Sequence, residues 1–313
     1  MQVGQQVTGR TYPADRLARI VFLMCAILLI AVLVGVFLFI GTNAFRVFSE
    51  GANVKDFFFG TYWDPSGNTT VSGNPSFQAG GLILGSIVIT FFSVLIATPL
   101  AFGMALFFTE LSPRWLVRLL QPLIEVFTGM PSVVVGFFGL IIIIPLLQRL
   151  VGPLVGNGQT AGYGWGAAIL VLLIMILPTI ISISIDALRA VPGSVREASL
   201  ALGSTRWQMM TRAVIPAATT GLATAVVLGM ARAIGETLAV SLVLDGQQLP
   251  KKLFTPAVFF QPNVNITQYI AIDFPETLGV GRDAYWTLAF ILLVISFLFV
   301  CLSRYLASRS VYR

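Results

Sequence analysis

Residues 189–216, RAVPGSVREASLALGSTRWQMMTRAVIP, form a polar, arginine-bearing stretch between two long apolar runs. From 195 to 212 the residues are helix formers, and Ala198, Ala201 and Leu202 fall three and four apart, so one helix face offers small and apolar side chains to a partner. Gly203 permits a sharp turn or a close approach of backbones. A chain that is otherwise mostly apolar and keeps such an element uses it to touch something in water. An amphipathic helix lying on the membrane, its arginines against anionic lipid, is the other reading these residues allow.

The rest of the chain is what makes this stretch conspicuous. Of 313 residues, 57% are hydrophobic and 10% charged, with a mean hydropathy of +0.90; a soluble domain carries about 25% charged residues. The composition is that of a polytopic membrane protein. Nineteen basic against thirteen acidic residues leave a net charge of +6, which follows membrane topology rather than a nucleic-acid patch. The absence of histidine excludes imidazole base chemistry and His-ligated metals. Cys25 and Cys301 both fall in apolar segments, where a lone cysteine behaves as a small hydrophobe. No catalytic set, metal site or cofactor is expected.

Apolar runs at about 20–40, 82–108, 122–148, 165–188, 217–243 and 285–306 predict six spans, each near or above the ~20 residues a helix needs to cross a bilayer. The expected organisation is a polar segment 1–19 followed by one six-span domain, 20–313, with the polar stretch at 189–216 and long connections at 43–80 and 244–284. The first run is longer than a signal-peptide core and lacks a small-residue cleavage site, so it reads as a retained span. Basic residues are kept on the cytoplasmic side. With the N-terminus inside, that side holds twelve arginines (10, 16, 19, 114, 118, 189, 196, 206, 212, 304, 309 and 313) against six outer basic residues (46, 55, 149, 251, 252 and 282). Both termini and the 189–216 stretch are therefore expected in the cytoplasm, in a multi-pass bacterial inner-membrane protein.

Within the third run, Gly129-Met130-Pro131-Ser132 and Pro145 predict a discontinuous helix, because proline removes a backbone donor. The outer connection 43–80 contains Tyr62-Trp63-Asp64-Pro65, readable as an interfacial aromatic anchor or as a docking element. In 244–284, residues 266–274 predict a weak helix, either folded back at the interface or meeting a soluble partner.

The fifth run carries Arg232 and Glu236. A charge in the hydrocarbon layer costs about 2.5–3.5 kcal/mol on insertion scales and normally faces a pathway or a partner. Four residues apart on a helix, the two share a face and can pair. Arg232 lies eleven residues beyond Gly221, roughly 16 Å along a helix and close to mid-membrane. A guanidinium suits oxyanions, to which its planar fork gives parallel hydrogen bonds. Glu236 repels an anion, so it is expected to hold Arg232 at rest and be displaced by cargo; a permanent structural ion pair is the alternative. Thr237 and Ser241 add hydroxyls to the same pathway, although small residues here also serve helix packing.

Several motifs carry a resemblance. Glu197, Ala198, Ser199, Gly203, Ala213, Ile215 and Pro216 are similar in spacing to the EAA loop by which permeases of ABC importers dock onto their ATPase, with Ser199 replacing the second alanine, Ala213 an isoleucine and Ile215 a leucine. The run from Ala231 to Thr237, the run from Gly129 to Gly139 and Trp63-Asp64-Pro65 resemble permeases of phosphate-specific (Pst-type) ABC importers, most like the C-type subunit. The family's aromatic near the Pro-Ser-Val-Val segment is replaced by Val135 and Phe138.

The resemblance implies an all-α permease of the type I importer fold, paired with a second permease, two copies of a cytoplasmic ATPase and an extracytoplasmic phosphate-binding protein. It implies that Arg232 and Glu236 take part in phosphate passage and that Glu197, Ala198, Ser199, Gly203 and Pro216 dock the ATPase. The chain has no GxxxxGK[ST] loop and is not itself the ATPase. The function expected is ATP-driven phosphate import by alternating access. Rival readings are an ABC permease for another oxyanion or small solute, and an ion-coupled secondary transporter; the latter has no use for a docking loop.

Overall fold

The computed structural model describes residues 13–49, 51–65, 75–155, 162–244, 246 and 256–308. Parts of the N-terminal segment and of the two long connections, including Lys251 and Lys252, together with residues 156–161 and 309–313, lie outside the described residues. In order the helices are α1 (Pro13–Ala44), α2 (Arg46–Ser49), α3 (Val54–Phe59), α4 (Gly80–Leu106), α5 (Arg114–Gly129), α6 (Ser132–Phe138), α7 (Ile144–Val155), α8 (Trp165–Arg189), α9 (Gly193–Ala201), α10 (Arg206–Met209), α11 (Ile215–Ala217), α12 (Thr219–Gly235), α13 (Leu238–Leu244), α14 (Ile266–Ile272) and α15 (Val280–Ser308). Wider π turns extend α4 over Phe107–Leu111, join α6 to α7 over Gly139–Ile143 and lead into α11 over Met210–Val214. A single short pair, β1 (Trp63–Asp64) with β2 (Ser76–Phe77), is antiparallel. The expected all-α class is what the structure shows.

Helices long and apolar enough to cross a membrane are α1, α4, the α6–α7 unit, α8 and α15. The third and fifth expected spans differ from single rods. Residues 122–129 belong to the separate, strongly amphipathic α5, and the crossing helix begins only at Ser132, because Pro131 cannot continue α5. Toward the fifth span, Arg206–Ala217 and Thr219–Gly235 meet at 71°, and the chain breaks again at Glu236-Thr237 before α13.

Packing fixes the directions. α4 and α8 run parallel: Trp165 lies against Gly85, and the Ser93 hydroxyl bonds both the Ile89 and Ile169 carbonyls. α12 runs antiparallel to α8, with Gly221 against Ala187 and Gly229 against Ile180. A β-carbon at Gly229 would stand 2.5 Å from Ile180, so only glycine lets these two backbones approach so closely. α6 runs parallel to α13 through Gly136 on Ala239, and α1 lies antiparallel to α15 through Gly41 and Phe37 on Phe290. Successive spans thus alternate in direction. The main core is centred on α8, the most enclosed helix of the bundle.

A second cluster closes the end opposite α9. Trp63 is buried there among Phe57, Phe77 and Tyr285, and its indole N–H donates to the Tyr285 hydroxyl at 3.4 Å. The aromatic therefore packs within the protein instead of anchoring a span at the lipid interface. α14 is folded back against α4 and α13, as its position in the second long connection suggested: the Ile266 N–H bonds the Ser86 hydroxyl and the Asn263 N–H bonds the Leu244 carbonyl.

Candidate functional site: a charged break in the bundle and an exposed docking helix

The residues around Arg232 come from four chain segments. α5 ends at Gly129, leaving its last carbonyls without helical partners. Arg232 reaches across from α12 and donates from Nη2 to the Thr128 carbonyl at 3.2 Å, placing its positive charge where the end of a helix favours cations. Its Nη1 donates to Thr179 Oγ1 at 2.9 Å; Thr179 follows Pro178 on α8. Both partners are neutral, and among the described residues the remaining N–H donors of the fork have no hydrogen-bond partner.

Glu236 does not form the helical i to i+4 ion pair expected with Arg232. α12 stops at Gly235, and Glu236 is extended with φ −76° and ψ 129°, so the helical register that would align the two side chains is lost. Its carboxyl lies beside Ser132 in the first turn of α6, and no ion pair with Arg232 within 4 Å forms among the described residues. The Gly129-Met130-Pro131 interruption therefore serves both charges. The carbonyl end of α5 faces the cation, and the N–H end of α6 lies beside the anion.

Thr237 is half-buried in the same break. Ser241 lies on α13 with its hydroxyl turned to the Leu238 carbonyl of its own helix. On its other side Glu236 borders a small crevice with Ser86, Thr90, Asn265 and Thr267, where Thr267 is buried and its Oγ1 has no hydrogen-bond partner among the described residues. Thr128, Thr179 and Ser132 were not singled out as site residues from sequence. Ser132 stood within a quoted motif, and Thr179 was signalled only by its place after a span proline.

The docking candidates form a second region. The stretch expected to be helical over 195–212 is instead two helices, because Gly203 takes φ 78° and ends α9 with backbone bonds from Leu202 to Ala198 and from Gly203 to Leu200. Thr205 then starts α10 with a capping box closed by Gln208. α9 buries none of its residues; Glu197, Ala198 and Gly203 are exposed, and Leu202 and Trp207 are 90% and 67% exposed. Ser199 faces the turn and bonds Ser204 at 2.8 Å. Pro216 is not on this surface. It sits half-buried in α11, at the bend leading into α12.

Comparison with known proteins bears on both regions. A family model described as "Binding-protein-dependent transport system inner membrane component" matches residues 97–312, which include the docking helix, the Pro131 break and Arg232. The chain belongs to this family of ABC importer permeases. The permease is 39% identical over 295 residues to the probable ABC transporter permease protein YqgH of Bacillus subtilis, covering 93% of this chain and 90% of that protein. It is 32% identical, with the same coverage, to the phosphate transport system permease protein PstC of Haemophilus influenzae, and 36% identical to PstC of Mesorhizobium japonicum over 77% of each chain. An inward-facing structure of the methionine ABC transporter MetNI shares the fold, with a TM-score of 0.56 at 18% identity over 74% of this permease and 95% of that chain.

Proposed function

We propose that this permease imports inorganic phosphate, as the C-type subunit of an importer whose second permease, paired ATPases and extracytoplasmic binding protein are separate chains. The observation that carries the substrate class is Arg232. A part-buried guanidinium in the bundle, held by a hydroxyl and a carbonyl and with no carboxylate within 4 Å among the described residues, leaves donors for an oxyanion. The names of the PstC relatives support phosphate among the oxyanions.

In this mechanism the cargo arrives from the end carrying β1, β2 and α14, which is extracytoplasmic, and both termini are cytoplasmic. The anion exchanges water for the spare donors of Arg232. Thr179 and the Thr128 carbonyl keep the guanidinium oriented, so little rearrangement is needed on binding. Glu236, beside Ser132, stays to one side of the anion, and Thr237 follows it in the break. Contacts of this number hold phosphate long enough to pass and weakly enough to release it. ATP hydrolysed on the docked subunit, which touches Glu197, Ala198 and Gly203, drives alternation between outward and inward access.

The test is uptake of radiolabelled phosphate by cells that depend on this permease and its partner subunits. Phosphate accumulation that tenfold excess sulfate or molybdate leaves unchanged supports the assignment. Equal competition by either anion overturns phosphate as the cargo.

A further inference from the structure

Arg196 lies on α9 with its guanidinium turned into the bundle. Nε and Nη2 donate to Glu110 Oε1 at 3.0 and 2.9 Å, Nη1 donates to the Val191 carbonyl at 2.7 Å, and Nη2 also reaches the Leu188 carbonyl at 2.9 Å. Glu110 stands in the π turn that ends α4, and its side chain is only 8% exposed. Leu188 is in the last turn of α8 and fully buried. One side chain therefore joins the exposed helix to the ends of two core spans. Among the described residues this is the ion pair that meets a 4 Å limit.

We propose that Arg196 is the positioning residue through which force on the docking helix enters the spans, acting on α4 and α8. The proposal rests on the docking reading of α9 given above. α9 buries no residue of its own and is bounded by turns at Val191-Pro192 and at Leu202-Gly203-Ser204. α9 also packs on the turn Met210–Val214, with Val195 against the core, but these apolar contacts can slide, whereas the Arg196 bonds fix its middle to the ends of α4 and α8. Chain connectivity alone leads from α9 through α10 and two bends before reaching α12, and each bend dissipates displacement.

The Arg196 route is shorter. The Leu188 carbonyl lies nine residues from Thr179 on the same continuous α8, about 14 Å at the helical rise. Thr179 in turn holds Arg232. A displacement of α9 is thus delivered, along one rigid helix, to the residue that orients the proposed anion-binding guanidinium.

The planar fork is essential to this role, since it serves a carboxylate and two carbonyls in different directions. A lysine ammonium is a point charge on a flexible stem and does not hold all three. Removing the Glu110 charge leaves the carbonyl bonds and unties α4 alone.

The experiment reconstitutes the whole importer in lipid vesicles with its binding protein and measures ATP hydrolysed per phosphate imported, together with co-purification of the ATPase subunit. Arg196→Lys and Glu110→Gln are expected to retain the ATPase in wild-type amounts and to raise ATP consumed per phosphate at least threefold. The charge-exchanged double variant Arg196→Glu with Glu110→Arg restores opposite charges without the carbonyl bonds and is expected to stay uncoupled. A wild-type ratio in Arg196→Lys, or recovery of coupling in the double variant, overturns the proposal. Loss of the ATPase from Arg196→Lys and Glu110→Gln alike also overturns it, since the clamp would then be holding the docking surface itself. Failure of the ATPase to bind the unaltered permease sinks the docking reading instead, and is distinguishable on that ground.

Discussion

Arg196 and Arg232 stand at two levels of the same bundle and are treated in opposite ways. Arg196 is paired with a nearly buried carboxylate and two backbone carbonyls, so its charge is neutralised and its geometry saturated. Arg232 is held by one hydroxyl and one carbonyl, so its geometry is fixed while its charge is left standing. The first arrangement suits a mechanical joint, the second a site that must accept and release an anion. The arginine side chain by itself does not separate the two proposed roles; the formal charge of its partners does.

The sharpest way to break the contrast is to remove the unneutralised charge. Arg232→Gln is expected to lower phosphate uptake roughly 10–100-fold, since a hydrogen bond to a charged group is worth about 1.5–3 kcal/mol and 1.4 kcal/mol is a factor of ten. ATPase co-purification should stay normal. Uptake within twofold of wild type would make Arg232 structural, and the two arginines alike.

Next is the proposed docking surface. Gly203→Val forces a branched side chain into the left-handed region at a cost of at least ~1–2 kcal/mol. It should reduce ATPase co-purification severalfold while the permease still inserts. Retained co-purification would separate the docking surface from the Gly203 turn.

A smaller effect is expected from Thr179→Val, which removes the neutral partner on α8 at nearly constant volume. Losing one ordinary hydrogen bond is worth about 0.5–1.5 kcal/mol, so uptake should fall roughly two- to tenfold. A loss as large as that of Arg232→Gln would show that Thr179 does more than orient the arginine.

The smallest effect lies away from both arginines, in the cluster opposite α9. Burial raises the Asp273 carboxyl above its ordinary value, partly opposed by the hydrogen bond from Tyr285. The folded form then holds its proton more tightly than the unfolded form, so the local contribution is most favourable below the ordinary carboxylate range and declines as pH rises through the elevated value. Asp273→Asn should flatten that decline in an intrinsic tryptophan fluorescence melt followed from pH 4 to pH 7. An unchanged pH profile would assign the decline to another group.

Much of this was legible in the residues. Hydropathy places the crossings, and Pro131 with its glycine neighbour places the third-span break, because a missing backbone donor acts locally. The break after Gly235 was hidden: Gly235-Glu236-Thr237 contains no proline, and an uninterrupted apolar pattern on both sides argues for one helix. The helical spacing of Arg232 and Glu236 was therefore misleading, and their separate partners depend on where the ends of α5 and α6 fall. The burial of Trp63 was hidden for a related reason. Sequence marks an aromatic near a span end, whereas its burial is decided by Tyr285, 222 residues away. The joint from Arg196 to Glu110 is likewise a long-range fact that no local period reveals.

α1 meets the rest of the protein chiefly along α15, through Phe37 and Phe39 on Phe290 and Trp286, and none of its most apolar stretch is enclosed by other helices. During synthesis α1 is made long before its partner α15 exists. Its apolar stretch must therefore be stable in lipid for the time it takes to make most of the chain, and α15 joins a helix that is already in place rather than creating a site for it.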